Sequence, residues 1–173
     1  DALYHAAHQT MEELSADPKH LGARIGYICV LHTWGSRMNY HPHLHTIVLG
    51  GGLDAANKWK DKGKKFFFPV KVMSAVFKKY YLRELKQFWE DKKLEYHGTT
   101  AHLKNHYEFK ALLNSLYDKN WVVYTKEAFN GADSVIHYLG RYTHRIAISN
   151  RRIVSMTDET VTSVSYTHLR AHE

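Results

Sequence analysis

Three histidines at alternate positions open an apolar segment, and their spacing suits a metal ion. His41, His43 and His45 lead into residues 46–49, a β-branched and apolar run that the glycines at 50–52 are expected to end. The run therefore predicts a strand. Because strand side chains alternate between faces, the three imidazoles would point the same way. Imidazole nitrogens that converge suit a divalent cation, although the same residues could form a solvated strand end.

A second group of reactive residues lies far along the chain. Tyr138 and Tyr142 are four residues apart in a segment whose apolar positions recur at helical spacing. Residues four apart share a helix face, and Arg141 and Arg145 would come next around the cylinder. A phenol, with a pKa of about 10, is a weak nucleophile at neutral pH and needs activation. The alternative is a pair of packing tyrosines beside two surface arginines.

These two segments resemble a known family of enzymes. His43-Leu44-His45 is similar to the signature of the HUH single-strand DNA endonucleases, in which U is a hydrophobic residue. The longer runs 31–52 and 138–150 resemble one branch of them, the two-tyrosine rolling-circle transposases of bacterial insertion sequences. The similarity extends from about the first helix to about Met156. A histidine pair alone is common, but both blocks in this order, about a hundred residues apart, are specific.

The resemblance implies a metal-dependent transposase catalytic domain. It would nick and rejoin single-stranded DNA at the ends of its element through a 5′-phosphotyrosine intermediate. The relaxase branch of HUH enzymes carries a third histidine on the neighbouring strand, so we expect His32 to be the third ligand. The alternative is that His32 makes a structural hydrogen bond near the turn. The resemblance implies that the ion is magnesium or manganese, whereas histidine ligands alone would suit zinc at least as well. The implicated residues are the nucleophiles Tyr138 and Tyr142, the phosphate-binding Arg141 and Arg145, and the ligands His43, His45 and His32.

Two other classes of protein remain compatible with these residues. A metal-dependent phosphoesterase would use metal-bound water and leave the tyrosines structural. Such enzymes usually add carboxylate ligands, and no acidic residue follows the histidines before Asp54. The other alternative is an inactive, basic nucleic-acid-binding remnant of a transposon.

The charge balance favours a polyanionic partner. The 173 residues carry a net charge of +7, with a pI near 9.4, a balance suited to nucleic acid. A lysine-rich loop or hairpin around an aromatic residue suits single-stranded DNA in particular, because lysines meet phosphates and bases stack on the ring. The alternative is an ordinary solvated face. The predicted DNA-binding residues are Lys58, Trp59, Lys60, Lys62, Lys64 and Lys65.

Length and composition indicate one domain. No apolar run approaches the roughly 20 residues of a membrane span, and a cytoplasmic protein is expected. The single cysteine, Cys29, excludes an internal disulfide. The first residue is not methionine, so we expect an excerpt of a longer protein; family members usually carry a cysteine-rich, zinc-binding N-terminal element. We assign 1–156 to the catalytic domain and 157–173 to a tail, of which 166–173 resembles a translated adaptor or assembly scar.

The pattern of elements predicts an α+β fold, an antiparallel sheet with helices on its faces, and the resemblance implies the ferredoxin-like HUH fold. Arg24 to Thr33 should be a buried strand antiparallel to the histidine strand. Asp133 or Ser134 should cap the tyrosine helix. The other predicted elements are helices over 2–15, 70–93 and 101–117, strands over 66–69 and 121–125, and a closing hairpin of 146–148 with 152–156.

Two helix faces are predicted in more detail. The helix over 70–93 should bury a stripe of apolar residues and present a basic face that could follow a DNA backbone. The tyrosine helix should bury Val135, Ile136 and Leu139. The stripe comprises Met73, Phe77, Tyr81, Leu85 and Phe88, and the basic face comprises Lys79, Arg83 and Lys86.

Overall fold

The computed structural model describes residues 2–35, 39–62, 68–126, 132–143 and 152–164, with the backbone alone at 132 and 141–143. Within these ranges the chain is α+β with antiparallel sheets, which confirms the predicted class. None of the described helices is long and apolar enough to cross a membrane. The helices are α1 (Ala2–Ala16), α2 (Val70–Glu90), a 3₁₀ helix (Gly98–Lys104), α3 (His106–Asp118) and α4 (Ala132–Thr143); the strands are β1 (Arg24–Trp34), β2 (Tyr40–Leu53), β3 (Trp59–Asp61), β4 (Ile153–Met156) and β5 (Val161–Ser163).

The sheet is a meander in which β2 lies between β1 and β3. The antiparallel pairing of β1 with β2 is confirmed, and it runs from Arg24 opposite Leu53 to Trp34 opposite Tyr40. One face of this sheet packs on α1 and α2 through a shared apolar cluster. Because strand side chains alternate, residues of the opposite parity point away from that core. The cluster comprises Met11, Leu14, Leu21, Ala23, Ile25, Phe68 and Met73, with Tyr27, Val48, Val76 and Val123 packed against it.

The expectation that the glycines at 50–52 end the strand is wrong. Strand β2 continues through them to Leu53, because β3 pairs with Gly51, Gly52 and Leu53. A Cβ on Gly52 would come within 2.4 Å of the Arg24 carbonyl oxygen, and one on Gly51 within 2.5 Å of the Lys60 carbonyl oxygen. These glycines therefore let the backbones approach closely and do not terminate the strand.

Replacing Gly52 with alanine should destabilise the sheet. The added methyl group would push against the backbone of β1, which cannot move away as a flexible side chain can. We expect a loss of about 1–3 kcal/mol of folding free energy, which lowers Tm by several degrees and is measurable by thermal denaturation.

Gly140→Ala supplies the matched control for Gly52→Ala. Gly140 lies inside α4, and a Cβ there meets nothing within 4 Å. Alanine is the better helix former by roughly 1 kcal/mol, so this variant should be as stable as the parent or more so. Equal stability of Gly52→Ala and the parent would contradict the close-approach argument.

The prediction for α2 is correct at its start, places its end three residues too late, and is only partly correct in its buried face. The fully buried positions are Met73, Tyr80 and Leu82, whereas the rest of the predicted stripe is half-buried. The Tyr80 hydroxyl donates a hydrogen bond to Glu13 of α1. Lys79 lies 2.6 Å from the same carboxylate, and the Lys79 and Tyr80 contacts hold the pKa of Glu13 below its ordinary value. This contact joins α1 to α2.

The predicted basic face of α2 makes ion pairs within the chain. Besides Lys79, Lys86 lies 3.7 Å from Glu90, and the Arg83 guanidinium lies 4.0 Å from Glu84 and over the Tyr80 ring. The helix also packs on the core side of the sheet. A role for this face in following DNA therefore gains no structural support.

Two predicted elements after α2 need correction. The helix predicted from 101 begins at His106, because the Asn105 side chain accepts hydrogen bonds from the amides of Tyr107 and Glu108. Residues 121–125 form no strand. They run along α2, where the Ser74 hydroxyl donates to the Trp121 carbonyl and the indole packs on two aromatic rings of α2.

Four further expectations fail or lie outside the described residues. Phe68 is buried in a bend and not in a strand, and 66–67 lie outside the described part. Asp133 and Ser134 lie inside the first turn of α4 and do not precede it. Ile136, predicted to be buried, is exposed.

The predicted closing hairpin of 146–148 with 152–156 is not described as such. Strand β4 pairs instead with β5, which was not predicted, and 146–148 and their turn lie outside the described residues.

Candidate metal and tyrosine site

The β1–β2 hairpin brings together the three histidines assigned as ligands. His32 is directly opposite His43, and His45 is opposite Val30. Directly opposed residues of an antiparallel pair share a face, and this face is the one turned away from the α1 and α2 core. His32 is buried, and the other two are half-buried. We predicted that β1 is buried on both faces. This is wrong for the histidine face, where Ile28 is exposed.

The imidazole nitrogens converge on one point. His43 Nε2 and His45 Nε2 are 3.0 Å apart, and the His32 ring centroid lies 4.7 Å from that of His45 and 5.6 Å from that of His43. One nitrogen from each residue lies within 4.8 Å of the other two. Among the described residues this is the cluster of metal-ligating side chains that could hold an ion.

Hydrogen bonds define where the protons lie in this cluster. His43 Nδ1 lies 2.7 Å from the His41 carbonyl oxygen, and because a carbonyl can only accept, Nδ1 carries the hydrogen. In the neutral imidazole His43 Nε2 then keeps its lone pair, so the contact to His45 is donated by His45 Nε2–H. The His41 carbonyl thus orients His43, while the exposed His41 imidazole lies outside the cluster.

The environment keeps the His45 imidazole neutral, with a hydrogen on only one of its two nitrogens. Burial, followed by the positive charges that His32 and His43 would carry, lowers the pKa of His45 to about 4. Ligating nitrogens must be free of protons. His45 can therefore offer a lone pair at neutral and mildly acidic pH.

Helix α4 places one tyrosine at the histidines. The helix packs against β1, and the Tyr138 hydroxyl oxygen lies 3.2 Å from His45 Nδ1. With His45 protonated at Nε2, the hydroxyl donates to Nδ1. The backbones of Arg141 and Tyr142 lie three and four residues further along α4, but their side chains, like all of Arg145, lie outside the described part.

The donor set fits a divalent ion. Metal–nitrogen bonds of about 2.0–2.1 Å place the nitrogens of neighbouring ligands about 3–4 Å apart, close to the separations found here. The hydrogen bond from His43 Nδ1 to a carbonyl is the outer contact that ligating histidines usually make. Three imidazoles without a carboxylate suit a transition metal better than magnesium, which prefers oxygen ligands.

One residue that the sequence did not single out supports the buried ligand. The strand predicted to end at Thr33 extends to Trp34, whose ring stacks on His32 with centroids 5.0 Å apart and planes inclined by 11°. The stack restricts the rotation of the imidazole. Its spacing of two from His32 on a strand was the signal available in the sequence.

The predicted DNA-binding lysines do not gather at the histidines. Lys58 to Lys62 lie in and beside the β2–β3 hairpin, at the opposite end of β2. His45 is opposite Val30 and Gly52 is opposite Ile25, so the two ends are separated by five steps of β1, roughly 17 Å of strand. Lys58, Lys60 and Lys62 are exposed, whereas Lys64 and Lys65 lie outside the described residues.

An antiparallel sheet with clustered histidines and a tyrosine helix beside it is the arrangement expected for a two-tyrosine transposase. The chain belongs to that family, since the Y2 transposase family model, described as "Putative transposase", matches residues 26–172. The match continues through most of 157–173, which we set apart as a tail, and the boundary at residue 156 stays a prediction.

Two curated relatives carry transposase names. "Putative transposase y4qJ" of Sinorhizobium fredii (strain NBRC 101917 / NGR234) is 41% identical over 160 residues, covering 92% of this chain and 40% of the relative. "Transposase for insertion sequence element IS801" of Pseudomonas savastanoi pv. phaseolicola is 27% identical over 167 residues, covering 96% of this chain and 38% of the relative. The chain thus spans about two fifths of these proteins. No solved structure matches it.

Proposed function

We propose that this chain is the part of a rolling-circle transposase that nicks and rejoins single-stranded DNA through a tyrosine. The observation that carries the proposal is the 3.2 Å contact between the Tyr138 hydroxyl and His45, one of three histidines able to share an ion. A structural tyrosine would have no need to meet that cluster. The family match and the transposase names of the relatives agree with this role.

His32, His43 and His45 would hold a divalent ion. Such an ion would polarise a non-bridging oxygen of the scissile phosphate. A His45 that held the ion through Nε2 would carry its hydrogen on Nδ1 and would donate it to the Tyr138 oxygen. A hydrogen bond donated to that oxygen would favour the phenolate.

The chemical step is a displacement at phosphorus. The Tyr138 oxygen would form a bond to the phosphorus as its hydroxyl proton passes to water. The bond to the 3′ oxygen would break, and that oxygen would take a proton from water and leave as a 3′-hydroxyl. The 5′-phosphotyrosine retains the phosphodiester bond energy, so a DNA hydroxyl can later reverse the step without ATP. Tyr142, one helical turn along α4, would allow a second strand to be held. Arg141 and Arg145 would offset the phosphate charge.

The direct test is a covalent adduct with labelled single-stranded DNA from the end of the element, in the presence of magnesium, manganese or zinc. A label on the 3′ end should migrate with the protein through a denaturing gel. A label on the 5′ end should be released on a shorter fragment. The same sequence as a duplex is the control and should react poorly.

Each other outcome has a definite meaning. Retention of the 5′ label would show attack in the opposite polarity and overturn the proposed intermediate. Cleavage without any adduct would show that water is the nucleophile, as in the phosphoesterase alternative. Binding with neither cleavage nor adduct under any of the three metals would favour the inactive remnant.

A further inference from the structure

A tryptophan ring lies against the buried histidine of the metal cluster. His43 is oriented by a backbone carbonyl at its Nδ1, and His45 Nδ1 meets a tyrosine hydroxyl. His32, which is only 5% exposed, has the indole of Trp34 against its face. The two ring centroids are 5.0 Å apart and the planes are inclined by 11°, which is an offset-stacked arrangement.

A flat contact of this kind restricts the imidazole more than the strand backbone does. The outer side-chain torsion of histidine has broad minima, so the backbone alone leaves the ring free to turn. A ring that is stacked on an indole cannot turn without driving its edge into the indole face. The stack therefore restricts the direction in which the His32 nitrogens point.

The backbone fixes the position of Trp34 itself. It is the last residue of β1 and is paired with Tyr40 across the hairpin. The next residue, Gly35, donates a backbone hydrogen bond of 2.9 Å to the Asn39 carbonyl. Cross-strand contacts thus hold the chain at Trp34 and just beyond it, and the indole has a firm base from which to support His32.

We propose that Trp34 is a positioning residue that sets the metal affinity of the histidine site by holding the His32 imidazole in its ligating orientation. The inference rests on the proposed function, because it requires that the three histidines bind an ion. The indole supplies no ligand atom and acts through His32. An ion that meets a nitrogen already in place does not have to order it on binding, and this preorganisation raises affinity.

The test is the affinity of the full chain for zinc, an ion that imidazole ligands suit, measured by calorimetry without DNA. Trp34→Ala should weaken zinc binding by roughly tenfold, the lower end of the usual effect of losing an outer-shell partner. Trp34→Leu keeps an apolar side chain without a ring face and should show the same loss. Trp34→Phe keeps a ring that can stack and should restore most of the affinity.

Trp89→Ala is the matched control for the loss of a stacked tryptophan. Trp89 stacks on Phe109 with the same centroid separation of 5.0 Å and an inclination of 13°. That stack joins α2 to α3 and takes no part in the histidine cluster. The variant should lose stability and keep the zinc affinity of the parent.

A double-mutant cycle separates action through His32 from a general effect on the fold. In the His32→Ala chain the third nitrogen is absent, so adding Trp34→Ala should cause no further loss of zinc affinity. An equal loss with and without His32 would overturn the proposal. Zinc affinity equal to that of the parent in Trp34→Ala and Trp34→Leu would overturn it too, as would a Trp34→Phe variant that binds no better than they do.

Circular dichroism shows which variants keep the fold, and Trp34→Leu decides the question if Trp34→Ala unfolds. A measurement on the metal-free parent needs no variant. The carbon-bound hydrogens of the His32 ring should resonate upfield in nuclear magnetic resonance spectra, because they lie over the indole face. Ordinary resonance positions would overturn the proposal.

The failure of this inference is distinguishable from the failure of the proposed function. Zinc affinity that ignores Trp34, in a parent that forms the DNA adduct, removes only the role of Trp34. Zinc affinity that depends on Trp34, in a chain that forms no adduct, removes only the tyrosine chemistry. A parent that binds none of zinc, magnesium and manganese overturns the metal site and this inference with it.

Discussion

Replacing both Tyr138 and Tyr142 with phenylalanine should abolish the covalent adduct, by at least roughly a thousandfold. Phenylalanine keeps the aromatic ring and removes the oxygen that would bond to phosphorus. Tyr138→Phe alone should remove the first attack, because the Tyr138 hydroxyl is the one in contact with His45. The measurement is adduct yield on a denaturing gel under single-turnover conditions.

The tyrosine experiment needs a control variant that loses a tyrosine hydroxyl outside the proposed site. Tyr107→Phe serves, because Tyr107 is exposed on α3 and belongs to neither the histidine cluster nor α4. It should give the adduct of the parent. An adduct that persists in the double variant would mean that another residue attacks, and the assignment of both tyrosines would then be wrong.

Replacing His43 or His45 with alanine should reduce cleavage to background while leaving single-stranded DNA binding largely intact. Each removes one of three ligating nitrogens, and we expect metal affinity to fall by more than the 10- to 100-fold typical of losing an outer-shell partner. DNA affinity should persist, because it comes mainly from charge. Metal affinity is measured by calorimetry, and DNA binding by anisotropy with a chelator present.

His41→Ala is the matched control for the histidine variants. His41 lies in the same strand and contributes its backbone carbonyl to His43, which alanine retains. Its exposed imidazole lies outside the cluster, so metal affinity and cleavage should stay close to those of the parent. Cleavage that survives chelation and both ligand substitutions would contradict a metal mechanism.

The sequence determined the local parts of the site. Alternation along a strand determined that His43 and His45 share a face, and the turn between two apolar runs determined that β1 and β2 pair antiparallel. A spacing of four determined that Tyr138 and Tyr142 share a helix face. Each of these follows from backbone geometry over a few residues, which the sequence specifies directly. The same rules recovered the extent of α1 and α2 to within a few residues.

The sequence could not determine features that depend on contacts between distant segments. The glycines at 50–52 were predicted to end the strand. They are part of β2 because β1 and β3 pair with the backbone there. Residues 121–125 have strand-forming side chains but lie along α2 without a strand partner, because strand structure needs a neighbour as well as propensity. Ile136 fits the apolar arc of α4 by spacing and still faces solvent.

Tertiary structure alone decided how the reactive groups meet. The register that sets His32 opposite His43 brings in the third nitrogen, and a slip of one residue would turn the histidines of β2 to the core face. The packing of α4 on β1 brings the Tyr138 hydroxyl to His45 across 93 positions of sequence. The β2–β3 hairpin, which carries the lysines, lies at the other end of β2 from the histidines. Residue types supplied the chemistry, and packing supplied the distances, because convergence in space depends on which faces become buried together.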